Sequence, residues 1–167
     1  MANLRYSSAE ANGKKYLGGP LIGGTSGIYN LGASAVNSVF DEVTKAENVN
    51  RVQDYRCLYF QNNYTGQTIY APSIVIVGMP STDDFSIGLL SGKNVDATPI
   101  STETTIPSGI SFQSIVPKTP INLIQGGNDV VLLPGEYVGF WLRREPKGTG
   151  SSGTQTVDLS FEIRFTA

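Results

Sequence analysis

The sequence predicts an all-β fold, an antiparallel β-sandwich of jelly-roll or Ig-like type with an extended Gly-rich N-terminal arm. Three observations carry this expectation. Short apolar segments alternate with period two between clusters of turn residues. Gly 19 and Pro 9 among 167 residues interrupt the chain too often for long helices. No helical period persists beyond a turn or two. With 40% hydrophobic and 16% charged residues, the chain suits one domain with one sizeable core and excludes a helical bundle.

Residues 1–38 differ in texture from the rest. Gly13, Gly18, Gly19, Gly23, Gly24, Gly27 and Gly32 separate isolated bulky apolars, and neither the strand nor the helix period survives. A flexible tail of this kind would be rich in Ser, Glu and Lys. This segment instead spaces Leu17, Leu21, Ile22, Ile28 and Tyr29 along a backbone that cannot pack them on one another. It is therefore expected to be an arm that contacts neighbouring subunits through those five residues, with residues 39–167 forming the sandwich.

Within the sandwich, Arg51 to Gln61 places Tyr55, Cys57 and Tyr59 on one face and Leu58 and Phe60 on the other, the pattern of a central strand covered on both sides. Asn62 to Gln67 reads as a turn and Thr68 to Gly78 as the returning partner of a hairpin, made irregular by Pro72. Phe85, Ile87 and Leu89 mark a third strand. Ser91 to Pro120 is loop-rich and leads through a short strand at Ile110 to Val116; further short strands follow at Ile121 to Ile124 and Val130 to Leu133. Pro134 and Gly135 suit the two central positions of a type II turn that launches Glu136 to Arg144. Val157, Leu159, Phe161, Ile163 and Phe165 alternate with polar residues in the last strand, read as a second hairpin with the strand before it. The expected core includes Cys57, Ile76, Ile87, Trp141, Leu159, Phe161 and Ile163.

The residue inventory removes much chemistry. With His 0, the Ser/His/Asp and Cys/His nucleophilic sites and every imidazole metal site are excluded. The single cysteine, Cys57, can form neither an intrachain disulfide nor a thiolate zinc site, and mid-strand it reads as a small buried hydrophobe suited to a reducing compartment. The net charge of −2, with scattered basic residues, argues against nucleic acid. No run approaches a membrane span or a signal h-region, so a soluble protein without an ordinary export signal is expected. Asp41 with Glu42, Asp83 with Asp84, Asp96 and Asp129 are the acidic groups available for a carboxylate hydrolase or for calcium, but turn chemistry accounts for them and no D-x-D-x-D-G spacing occurs. Neither glycine pair, Gly18–Gly19 or Gly126–Gly127, has phosphate-loop spacing. Tyr59, Tyr64, Tyr70, Tyr137 and Trp141 are the candidates for a sugar-stacking platform, although their strand positions favour core roles. No catalytic, cofactor or metal site is assigned from the sequence.

Four segments carry a resemblance: Phe40–Val43; Asp54–Tyr59 with Asn62; Glu103–Phe112; and Leu133–Gly135 leading to Trp141–Arg144. In order and spacing they resemble a group of small virion structural proteins of tailed bacteriophages, over about residues 40 to 165. The resemblance implies a non-enzymatic virion component assembled in the bacterial host cytoplasm. It would be a capsid decoration (cement) protein, or alternatively a neck, tail or baseplate protein, with the major capsid protein or other virion proteins as partners and homo-oligomerisation expected. A carbohydrate-binding adhesin module is the alternative of another class.

Overall fold

The computed structural model describes residues 2–6, 16–17, 26–30, 39–40, 43–62, 64–125, 130–148 and 160–166, with backbone alone for those before 39 and for 160–162. The strands are β1 (Ala2–Tyr6), β2 (Tyr16–Leu17), β3 (Ser26–Asn30), β4 (Asp54–Asn62), β5 (Ile69–Gly78) and β6 (Asp83–Lys93). They continue with β7 (Gln113–Ser114), β8 (Ile121–Asn122), β9 (Val131–Leu132), β10 (Tyr137–Pro146) and β11 (Ser160–Thr166), and one helix, α1 (Lys45–Asn50), precedes β4. Two antiparallel sheets result. One runs β2-β1-β4-β10-β6-β7 and the other β3-β11-β5-β8, with β9 also paired to β5.

The sandwich core lies between the sheets. Leu58, Phe60, Phe85, Ile87, Phe140 and Leu142 from the first sheet meet Ile74, Ile76, Ile163 and Phe165 from the second. The expected core residues Cys57, Ile76, Ile87, Trp141 and Ile163 are buried; Leu159 and the Phe161 side chain lie outside the described residues. The outer face of the six-stranded sheet is also dry. Tyr55, Cys57, Tyr59 and Trp141 are roofed by Ala97, Ile100, Ile110 and Phe112 from the long segment after β6, a second apolar layer. That double coverage explains the near-continuous burial of β4.

Two glycines make the close packing possible. A Cβ on Gly88 would lie 2.3 Å from Ile110 Cγ2, and one on Gly139 would lie 2.7 Å from Tyr59 Cε1, so the bare backbone lets the roof and a tyrosine ring rest directly on the sheet. The turn at Leu133 to Glu136 forms as its sequence predicts, with Gly135 at φ +86 and the Glu136 amide donating to the Leu133 carbonyl at 3.0 Å. At Pro72 the strand is irregular: Ala71 has φ 46 and the β5–β11 register shifts there.

The structure corrects three expectations. β4 and β5 are not a hairpin: β4 pairs with β1 and β10, while β5 pairs with β11, β8 and β9 in the other sheet. Likewise β10 and β11 lie in different sheets. β4 and β10 are buried on both faces and pair with each other in the roofed sheet, whereas β11 has one polar face, with Arg164 and Thr166 exposed, and pairs with β5 in the other. Finally, only Gln113–Ser114 of the expected strand at Ile110 to Val116 pairs with β6, since Ile110 and Phe112 serve the roof. The helix was not expected. Thr44 and Glu47 form a capping box, and the chain leaves through Arg51 at φ 51.

Candidate interaction surfaces and the buried ionic cluster

The segment expected to act as an arm supplies the outermost strands of both sheets. Leu17 lies in β2, whose Leu17 and Tyr16 pair with Leu4 and Arg5 of β1, and β1 in turn pairs with β4 from Ala2↔Asn62 to Tyr6↔Leu58. Ile28 and Tyr29 lie in β3, opposite Arg164 and Ile163 of β11. Leu21 and Ile22 fall outside the described residues. Three of the five candidate contacts therefore sit on sheet edges, where pairing to another chain is geometrically available.

At one end of the sandwich, inward-facing positions of β4 and β10 carry charge. Arg144, buried to 0%, makes an ion pair with Asp54, itself 1% exposed. Arg56 pairs with Glu103 of the roof at 2.5 Å, and the Tyr55 amide donates to the Glu103 carbonyl at 2.8 Å. The Phe40 ring lies beneath both guanidinium groups, 5.3 Å from Arg144 and 5.5 Å from Arg56. At the opposite end of β4, buried Asn62 donates to the carbonyls of Gln67 and Leu132, both at 2.8 Å, and accepts from the Tyr64 amide at 3.0 Å. Its carbonyl receives the Gly135 amide at 2.8 Å. Three of the four segments that carry the resemblance are thus bonded to one another through β4, β10 and the roof, and Phe40 of the fourth packs against the two guanidinium groups.

The acidic candidates separate rather than converge. Asp83 points into the sandwich and is buried, whereas its neighbour Asp84 is exposed and 3.3 Å from Lys147. Asp96 follows β6 at its other end and accepts from the Tyr137 hydroxyl at 2.8 Å, about 30 Å away at the strand rise of ~3.3 Å per residue. Asp41, Glu42 and Asp129 lie outside the described residues. Among the described residues no cluster of three or more metal-ligating side chains occurs. Of the aromatic candidates, Trp141 and Tyr59 are buried, the Tyr59 hydroxyl accepting from the Ala97 amide at 2.7 Å. Tyr64 packs edge-on to Phe165, and only Tyr70 is exposed.

Asp83 has a measurable signature. Burial raises its pKa above the usual aspartate range; the Thr82 hydroxyl, at 3.0 Å, and the Arg144 and Lys147 charges oppose that rise without cancelling it. A carboxyl that holds its proton more tightly folded than unfolded favours the fold below the unfolded value of 3.8, and that contribution is lost as pH rises through the folded pKa. Asp83→Asn is accordingly expected to melt above the parent at neutral pH, with the difference vanishing below 3.8; equal melting at both pH values would contradict this.

The chain matches no protein-family model, no curated protein and no solved structure.

Proposed function

We propose that this protein is a non-enzymatic structural component of a tailed-phage virion, a capsid decoration protein that binds and stabilises the shell through its sandwich and N-terminal segment. The observation that carries the reading is the connection of three of the four resembling segments: Asp54 with Arg144, Arg56 with Glu103, and Asn62 with the Leu132–Gly135 region belong to one bonded framework, and the Phe40 ring of the fourth lies against Arg56 and Arg144. A resemblance spread over separate segments has more weight when those segments build one unit than when they are scattered punctuation. The N-terminal strands add a physical reason. Strands that close both sheets at their outer edges are positioned to pair with the major capsid protein, another virion protein or a second copy, and a lattice multiplies a modest contact through multivalency.

Quantitative mass spectrometry of purified particles tests the reading. On the order of hundreds of copies per particle are expected for shell decoration, about six to eighteen would move the protein to a neck or baseplate, and none would overturn a virion role. In the same system, replacing Leu17, Leu21, Ile22, Ile28 and Tyr29 together by Ser is expected to weaken particle binding while the sandwich still melts cooperatively. Undiminished binding would show that the N-terminal segment is not the contact.

A further inference from the structure

On the side of the sandwich away from β2 and β3, both sheets end in two-residue strands, β7 and β8. Two clefts adjoin there. One, of about 370 Å³, is lined by Gln113, Ser114, Thr119, Ile121, Asn122 and Gln125. The other, of about 340 Å³, is lined by Leu89, Ser111, Phe112 and the same Gln113 and Gln125. Both are shallow and open to solvent, a shape that suits a ligand lying along the surface rather than one engulfed by it.

The lining chemistry is selective. Among the described residues no charged side chain lines either cleft, so these residues favour neither an anion nor a cation. Gln113 is exposed, and its amide makes no hydrogen bond among the described residues; Gln125 uses only its Nε2, donating to the Asn122 carbonyl at 3.2 Å, which leaves its Oε1 to accept. Side-chain amides offer donors and acceptors together, the complement of a hydroxyl that also does both. Phe112 supplies an apolar wall in a fixed position. Arg143 lies over its ring at 5.4 Å, Tyr55 meets it edge-on at 5.5 Å, and the backbone at Gly88 lets Ile110 and Phe112 seat closely on β6.

An extended peptide would need a row of free backbone groups. Here the edge strands are two residues long, and Pro117 and Pro120 interrupt the chain between them, the features that blunt an edge against strand addition. We propose that the two clefts together form a binding site for a neutral oligosaccharide, with Gln113 and Gln125 bridging adjacent sugar hydroxyls and Phe112 packing against a ring face. This site is independent of attachment to a particle and uses none of the tyrosines or the tryptophan that the sequence nominated.

The test is amide NMR of the full chain titrated to ~10 mM with maltohexaose, cellohexaose or an N-acetylglucosamine hexamer, with a Ser/Thr-rich peptide of similar length as competitor class. At least one hexasaccharide is expected to shift the side-chain amides of Gln113 and Gln125 and the backbone amides of Phe112 to Ser114. The shift should be unchanged in high salt, because no charge is engaged. The double variant Gln113→Ala/Gln125→Ala should weaken binding by about tenfold or more while melting with the parent, which separates lost contacts from lost folding. Silence of these signals to all three sugars, shifts that survive in the double variant, or larger shifts with the peptide would each overturn the proposal.

Discussion

Arg144→Leu is expected to destabilise the sandwich by about 3–5 kcal/mol, a large share of the roughly 5–15 kcal/mol that holds a domain of this size together. The cause is less the loss of an attraction than what remains. Arg144 and Asp54 are both buried among the inner side chains of β10 and β4, so removing the guanidinium leaves a carboxylate stranded from its ion-pair partner where water cannot reach it. It also removes one of the two cations over Phe40, which belongs to the inter-sheet core and packs on Phe85 at 5.9 Å. The companion variant Asp54→Leu/Arg144→Met removes both charges together. If stranding is the cost, the double variant recovers most of the loss in urea unfolding; if the pair's own attraction is what matters, it remains as unstable as the single variant.

This cluster also marks where the sequence was legible and where it was not. β4, β10, β11 and the Leu133 to Glu136 turn could be read locally, because alternation and turn chemistry act over neighbouring residues. Which strands share a sheet could not, since Tyr55 and Cys57 bury equally well against a roof or a second sheet, and only the whole topology chooses. The inward charges were hidden for the same reason: Asp54, Arg56 and Arg144 look like polar strand ends until their partners are known. A local signal was present for α1 in the Thr44-x-x-Glu47 capping box, which finds the helix start without tertiary information. The strands before residue 39 left no period in the sequence, as edge pairing is satisfied by backbone groups and asks little of the side chains. The clefts at β7 and β8 were equally invisible, because Gln113 in β7 and Gln125 just after β8 come together only when the edges of the two sheets lie side by side.

Trp141→Ala should cost about 3–5 kcal/mol, similar to Phe140→Ala, yet the two losses are expected to spread through the molecule differently. These residues are neighbours on β10 with opposite orientations, Phe140 in the inter-sheet core and Trp141 in the layer under the roof. Emptying the Phe140 position weakens the contact that joins the sheets, so the whole domain opens together. Emptying the Trp141 position removes the largest side chain beneath the segment that carries Ala97, Ile100 and Ile110. That segment is tied to the sheet by the Ala97 amide to the Tyr59 hydroxyl at 2.7 Å, the Tyr55 amide to the Glu103 carbonyl at 2.8 Å, the Arg56–Glu103 ion pair and the Tyr137 hydroxyl to Asp96. Hydrogen exchange should therefore show the Ala97 and Tyr55 amides accelerating more than those of β5 and β11 in Trp141→Ala, and all of them accelerating in step in Phe140→Ala. Uniform acceleration in both variants would mean that the roof and the sandwich are one cooperative unit, and that the second apolar layer has no separate stability.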